Sequence, residues 1–199
     1  KIIAITGSCG KTTLKELLGT SLKKIAKVSM SPKSFNNKYG VPLSLFNLNQ
    51  KDDYGILEVG MDKKGEIDYL SKIVKPDVSV ITNINYAHAK NFKSIKHIAL
   101  AKSEIIQNTN SNGYVVLNAD DKFYKLHKKI VLKNNLRLLS FGIKNKKSDI
   151  KLSNIKKNGV NYKIEVKIKG QKKTFSISND FQNNIYNILA ALAVKSLYL

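Results

Sequence analysis

The sequence predicts an α/β fold, a mostly parallel sheet flanked by helices with a small antiparallel meander near 149–178. Three observations lead there. Strand-length apolar runs alternate with segments of helical period, the pattern of βα units. A glycine-containing loop joins the first strand to the first helix. Near residue 149 the texture changes to strict alternation with glycine turns at Asn158-Gly159 and Lys169-Gly170, which reads as antiparallel pairing.

Taken in order, residues 2–6 form the first strand, and a helix follows from about Thr12 to Lys24. Further strands are expected at 54–59, 78–84, 114–119 and 137–142. Helices are expected at 66–74, at 94–108 and within 120–129. Pro76-Asp77 punctuates the approach to the 78–84 strand. The last segment, 183–199, returns to helical period. No repeat or low-complexity linker interrupts the chain, so one domain is expected. The chain opens inside an apolar strand without an initiator Met and stops inside a helical pattern, so it is expected to be a domain of a longer protein.

Composition narrows the function classes. The 199 residues carry 35 Lys+Arg against 14 Asp+Glu, a formal net charge of +21. Such a balance raises nucleic acid or an anionic membrane as a partner. Yet Arg137 is the only arginine, the lysines are scattered, and readers of bases and phosphates favour the arginine fork. The charge therefore reads as a compositional bias with a solvated lysine surface, useful at most for attracting phosphorylated substrates; no nucleic-acid partner is expected. The single cysteine, Cys9, excludes a disulfide framework and a cysteine-based zinc cluster. No apolar run is long enough to cross a bilayer and no signal peptide opens the chain, so a cytoplasmic protein with no membrane partner is expected.

The strongest chemical signal is TGSCGKTT at 6–13, between a strand and a helix. Backbone N–H groups of such a loop wrap a polyphosphate, and the helix start adds donors and the positive end of its dipole. This makes the sheet P-loop-type. Gly7 and Gly10 allow close backbone approach, and Ser8, Cys9 and Thr13 complete the cradle. Lys11 is expected to reach the β/γ-phosphates of ATP, and the Thr12 hydroxyl to bind Mg²⁺. The spacing departs from the standard loop, since Ile5 stands where its first glycine belongs; no G-x-G-x-x-G dinucleotide fingerprint is present. Cys9 offers either an inert side chain and a backbone N–H, or a reactive thiol at a helix start. Thiol alkylation that blocks ATP binding, with ATP protecting, would support the second.

Glu58 ends an apolar strand, where ligands of open parallel sheets gather, so its carboxylate suits Mg²⁺. His88 follows the 78–84 strand in a loop; His97 and His127 have no such context and are expected at the surface. Asn36 and Asn37 suit a turn and cap before a helix carrying Pro42. Asn83 leaves its strand toward the same face as a nucleotide or substrate contact. In LNADD at 117–121 the Asn and Asp residues cap the next helix, with a ligand role as the alternative. Glu104 could pair with Lys11 or orient the site.

TGSCGKTT at 6–13, SFNNKYGVPL at 34–43, EVGMDKKGEI at 58–67, TNINYAH at 82–88, AKSEI at 101–105 and LNADD at 117–121 occur in this order. Together they resemble the central ATP-binding domain of the Mur ligases, over nearly the whole chain. The Phe-Asn-Asn-x-x-Gly-Val-Pro-Leu run and the Gly-Glu-Ile are most similar to the members that add D-alanyl-D-alanine to UDP-N-acetylmuramoyl-tripeptide (MurF type). The resemblance implies a three-domain enzyme whose amino-terminal UDP-sugar domain and carboxy-terminal Rossmann-like domain are absent from this chain. It implies that Glu58 shares a first Mg²⁺ with Thr12, and that His88 and Lys102 serve a second. Lys102 matches a lysine that CO₂ carbamylates in many of these ligases, which requires a neutral amine and so a depressed pKa. It implies that the 34–43 loop faces the muramoyl-peptide, with Asn37 rather than Asn36 the favoured substrate contact. NNIYN at 183–187 is similar to a His-Asn-Val-Tyr-Asn run bordering adenine, so Asn184 and Asn187 carry over, whereas Asn183 stands where the family has His.

The implied activity is ATP-dependent amide bond formation in peptidoglycan precursor synthesis. An acyl phosphate forms, D-alanyl-D-alanine attacks, and ADP and phosphate leave. The full-length enzyme is expected to be monomeric, and the isolated chain to bind nucleotide weakly and ligate nothing. Three alternatives stand beside it: another Mur-type or cyanophycin-synthetase-like ligase, a P-loop small-molecule kinase or ATPase, and a basic nucleic-acid-binding module.

Overall fold

The computed structural model describes residues 1–49, 51–86, 91–179 and 184–198. In chain order the described elements are β1 (Ile2–Thr6), α1 (Lys11–Leu22), β2 (Val28–Met30), α2 (Gly40–Phe46), β3 (Tyr54–Glu58), α3 (Glu66–Val74), β4 (Val78–Ile81), α4 (Ile95–Lys102), α5 (Glu104–Gln107), β5 (Tyr114–Asn118), α6 (Tyr124–Lys133), β6 (Arg137–Gly142), β7 (Ile150–Asn158), β8 (Asn161–Ile168), β9 (Gln171–Ser178) and α7 (Ile185–Lys195). The strands form one nine-stranded sheet in the order β2-β3-β1-β4-β5-β6-β7-β8-β9. Pairing is parallel from β2 to β7 and antiparallel from β7 to β9. The expected meander is therefore present, and a short parallel pairing of Phe141 and Gly142 with Ile150 and Lys151 fuses it into the main sheet.

Strand periodicity sorts the core into two layers. Ile3, Ile5, Ile56, Val80 and Val116 face α1 and α7 together with Ile164 and Val166 of the meander. Ala4, Leu57, Ile81, Val115 and Leu117 face the layer built by α2 to α6. A side chain of this size contributes about 1.5–3 kcal/mol when fully buried. The central strands, sealed on both faces, hold the loops at their carboxyl ends on a rigid base.

The differences from the expected boundaries have local causes. β4 stops at Ile81, not 84, because its neighbour β1 stops at Thr6. The chain beyond turns over the phosphate loop, with Thr82 N donating to Thr6 O and Ser8 N to Asn83 O, both at 3.0 Å. The single helix expected over 94–108 divides at Ser103, whose hydroxyl donates to Leu100 O (2.7 Å) while Ile106 N bonds back to Ser103 O (3.0 Å). The helix expected within 120–129 starts at Tyr124, since the Asp120 and Asp121 side chains are taken by neighbouring backbone, and it runs on to Lys133. β2, three half-buried residues, is too short to show a period. Opposite it, Gly19 of α1 is so close that a Cβ there would lie 1.8 Å from the Met30 sulfur.

Candidate nucleotide and metal site

β1 and β4 are neighbours, and the connection after β1 runs toward β2 while the connection after β4 runs the opposite way toward β5. A crevice opens at the carboxyl ends of strands where this happens, and it is where ligands bind in open α/β sheets. The 6–13 loop sits there. Gly10 has φ +81° and starts α1, whose first internal bond runs from Leu14 N to Gly10 O (2.9 Å). The N–H groups of Lys11, Thr12 and Thr13 thus have no intrahelical partner and point out of a helix start, a ready anion site.

The loop is braced from behind. Gly7, at φ +149°, packs so tightly that a Cβ would lie 1.8 Å from Thr82 Oγ1, and that hydroxyl donates to Cys9 O (2.7 Å). Asn83 clasps the Cys9 peptide on both sides, Oδ1 accepting from Cys9 N (3.0 Å) and Nδ2 donating to Cys9 O (3.2 Å). The Ser8 hydroxyl exchanges hydrogen bonds with the Asn85 backbone at 2.8 and 3.0 Å. A second tier stands behind the first: Ile84 N donates to Asp121 Oδ2 (2.8 Å) and Asn118 Nδ2 to Thr82 O (3.4 Å).

Register sets the acid. Ile5 pairs with Glu58, which brings that carboxylate beside the loop. Glu58 is 1% exposed; one oxygen accepts from the Thr12 hydroxyl (2.8 Å) and the other from Asn36 Nδ2 (3.0 Å). Two lysines complete the cluster. Lys11 Nζ and Lys102 Nζ both donate to Gly7 O at 3.0 Å. Lys102 is 1% exposed, and burial first, with the Lys11 ammonium second, brings its amine down to about 7. Lys11, Lys102, Asn36, Asn37 and Met61 border one cavity of about 220 Å³. On the opposite side Asn187 of α7 lies against the loop, its Oδ1 2.7 Å from where a Gly10 Cβ would be, and its Nδ2 donates to Asn184 Oδ1 (3.3 Å).

Residues 5–195 match the family model described as the Mur ligase middle domain. The chain belongs to the Mur ligase middle-domain family. A UDP-N-acetylmuramoyl-tripeptide–D-alanyl-D-alanine ligase of Buchnera aphidicola (subspecies Acyrthosiphon pisum) is 43% identical over 157 residues, covering 78% of this chain and 34% of the relative. The ligase of the same name from Bacillus subtilis is 31% identical over 202 residues, covering 100% of this chain and 41% of the relative. Among solved structures, the MurF ligase of Thermotoga maritima in complex with ADP superposes with a TM-score of 0.89 at 29% identity, covering 100% of this chain and 45% of that one. The chain thus spans about a third to two fifths of the length of these curated relatives.

Within this Mur ligase domain, the 6–13 loop is flanked by Asn36, Asn37, Glu58 and Lys102 on one side, by Asn83 behind, and by Asn187 with Asn184 on the other side. His88 and Asn183 lie outside the described residues. Several expectations change. Asn83 holds the loop's backbone, and the Cys9 N–H expected to face phosphate is spent on it. Asn37 borders the cavity while its Oδ1 accepts from Tyr39 N and Gly40 N at 3.1 and 2.9 Å ahead of α2, and Asn36 touches the acid. Glu104 does not reach Lys11; it accepts from Gly65 N and Asp68 N (3.0 Å each) at the start of α3. His127 is buried, not at the surface, its Nε2 3.0 Å from Ala99 O, and burial lowers its pKa. His97 is exposed, as expected, beside the Ser94 hydroxyl (3.1 Å).

The Asn and Asp residues of 117–121 do not cap α6, whose N-cap is Phe123 with no side-chain cap bond; Asp121 closes the turn before the helix, accepting from Phe123 N (2.8 Å). Asp120 instead gathers the N–H groups of Ile143, Lys144 and Asn145 and the hydroxyl of Tyr186 (3.1 Å). Burial acts to raise Asp120, but these donors hold it below the usual carboxylate range. Burial and then Asp120 push Tyr186 up to about 12. Sequence reading missed Thr82, Asn85 and Lys15. The first two lie inside a motif already singled out; Lys15 is one lysine among many in the chain, and nothing in the sequence marks it.

Proposed function

We propose that this chain is the ATP-binding domain of an ATP-dependent ligase that joins D-alanyl-D-alanine to UDP-N-acetylmuramoyl-tripeptide, giving ADP and phosphate. One observation carries the reading: a helix-start anion cradle, a Thr12–Glu58 oxygen pair and a buried, readily deprotonated Lys102 converge on a single crevice. The relatives named for that reaction supply its substrates.

The residues present fit Mg²⁺. Thr12 and Glu58 offer hard oxygen donors, and among the described residues no cluster of three or more His, Cys, Asp or Glu forms a closed cage. Mg²⁺ characteristically takes one or two protein oxygens and completes its shell with water and phosphate. When bound it neutralises charge on the β/γ-phosphates. Lys102, with His88 following β4, is the candidate for a second site, and carbamylation by CO₂ would give this amine anionic oxygens suited to it. Gly7 and Gly10 let the loop pack directly on Thr82 and Asn187, where a Cβ would clash, and so fix the course of the backbone whose N–H groups would meet the phosphates.

The chain's own work is positioning and charge stabilisation, which dominate phosphoryl transfer. Lys11, now on the Gly7 carbonyl, exchanges that acceptor for a phosphate oxygen. The unpaired N–H groups of α1 hold the β-phosphate. The substrate carboxylate attacks the γ-phosphorus, the bond to ADP breaks, and an acyl phosphate results. The amine of D-alanyl-D-alanine adds to the acyl carbon, and phosphate leaves as the amide forms. Asn184 and Asn187 border the adenine end. The full-length protein is expected to be monomeric and cytoplasmic, with small-molecule partners only, and the 199-residue chain alone is expected to ligate nothing.

Phosphate release by the full-length protein, with UDP-N-acetylmuramoyl-tripeptide present, tests the reading. Release that depends on D-alanyl-D-alanine, and collapses in Lys102→Ala with recovery in bicarbonate or acetate, is the expected result. Turnover indifferent to the amine overturns it in favour of a kinase or ATPase.

A further inference from the structure

Lys15 is fully buried, at 0% exposure, one turn beyond Lys11 on α1. Burying an ammonium is costly unless its protons are satisfied. Its single acidic neighbour among the described residues is Glu16, 3.4 Å away on a side chain 55% exposed, too solvated to account for the burial. Its real partners are backbone. Lys15 Nζ donates to Ser31 O (2.7 Å) and to Lys33 O, across the turn that follows β2.

That turn leads directly to the acid. The Ser31 hydroxyl accepts from Glu58 N (3.2 Å), and Ser31 N donates to Ile56 O (2.9 Å), so the turn is stitched along β3. Three residues beyond Lys33, Asn36 donates to one oxygen of Glu58 while Asn36 O accepts from Gly60 N (2.7 Å). The other oxygen of Glu58 meets Thr12, one turn before Lys15 on the same helix. Glu58 is therefore gripped by two jaws, α1 through Thr12 and the 31–36 turn through Asn36, and Lys15 is the strut between them. The contact of Gly19 with Met30 brings the helix close enough for the strut to reach. Lys33 has φ +44°, which a non-glycine residue adopts only when its surroundings hold it there.

We infer that Lys15 is a positioning residue for the metal-binding carboxylate, setting the separation of Thr12 and Asn36 across Glu58. The inference rests on the reading of Thr12 and Glu58 as the Mg²⁺ site. The test uses full-length protein and Mn²⁺ binding in the presence of ADP, followed by electron paramagnetic resonance. Lys15→Met is expected to raise the Mn²⁺ dissociation constant about 10- to 100-fold, the range for residues that orient a metal ligand, and to leave metal-free ADP affinity unchanged. Lys15→Arg keeps a cation and donors in a longer side chain, and serves if the methionine variant does not fold; it is expected to lose about tenfold. Adding Asn36→Ala to Lys15→Arg should cost little more, because both act on the same jaw. Unchanged Mn²⁺ affinity in a folded Lys15 variant, or fully additive losses with Asn36→Ala, overturns the inference. Failure of the underlying reading looks different: Glu58→Gln would leave Mn²⁺ binding intact in an otherwise wild-type chain.

Discussion

The two ends of the sheet obey the same pairing rules and reach opposite outcomes. From β3 through β5 the strands are parallel, sealed on both faces, and end in loops bound to each other by side chains: Asn83 to Cys9, Thr82 to Cys9, Asp121 to Ile84. From β7 to β9 the strands are antiparallel, covered by α7 on one face and open on the other. On the open face Lys151, Lys167 and Lys172 stand in a single rung across three strands. Like charges directly opposite weaken a sheet. The difference teaches where the chain concentrates its precision. A parallel sheet sends every strand's exit to one edge, and the polar side chains gathered there lock one another; a meander sends its turns alternately to both edges and locks nothing.

The largest expected effect separates the two ends by chemistry. Glu58→Ala in the full-length protein should lower the ligation rate by on the order of 10²–10³, the scale for removing one charge-stabilising group from an active site. Lys163→Ala in the meander should leave the rate unchanged. Steady-state phosphate release checks both, and equal losses would break the comparison.

Glycine substitutions sharpen it next. Gly7→Ala puts a methyl 1.8 Å from Thr82 Oγ1 and should cost about 1–3 kcal/mol, as overpacking does, and should abolish nucleotide binding. Gly170→Ala, at φ +90° with nothing within 4 Å of the new Cβ, should cost about 1–2 kcal/mol from backbone strain alone and leave nucleotide binding intact. Denaturant midpoints and ADP titrations read the two.

A smaller effect comes from pH. Burial holds His127 neutral in the folded protein, with its pKa below the ordinary 6.5. The unfolded chain therefore binds this proton more readily, and stability falls as pH drops through the ordinary value toward the lowered one. His127→Gln should flatten the dependence of melting temperature on pH below about 6.5; an unchanged slope would refute the assignment. The smallest effect belongs to the lysine rung: Lys167→Glu should stabilise by about 0.2–1 kcal/mol, most visibly at low salt.

Much of this molecule was legible in the chain. The βα alternation, the loop at 6–13 and the change of texture near 149 each rest on local pattern, and the elements expected from them are present, with the helix over 94–108 divided at Ser103. The glutamate at the end of β3 was legible too, because register in a parallel sheet carries a strand-end carboxylate to the edge where the loop sits. What escaped were partners. Asn37 and Asn83 belong to motifs visible in the sequence, but a short amide side chain caps a turn, clasps a peptide or meets a ligand with equal ease, and only the neighbours decide. An isolated histidine in a lysine-rich helix carries no sign of burial, so the sequence puts His127 at the surface; α6 turns it toward Ala99.

The sequence by itself determined the class of fold, the strand edge that holds the site and the residue types that bind phosphate, since these follow from period, spacing and donor chemistry within a few residues. Only the tertiary structure decided which polar groups grip one another: that Thr12 and Asn36 close on Glu58, that Lys102 shares the Gly7 carbonyl with Lys11, and that Lys15 is buried. Those pairings join residues as much as 95 positions apart. Their energies depend on burial and angle, which no local pattern encodes.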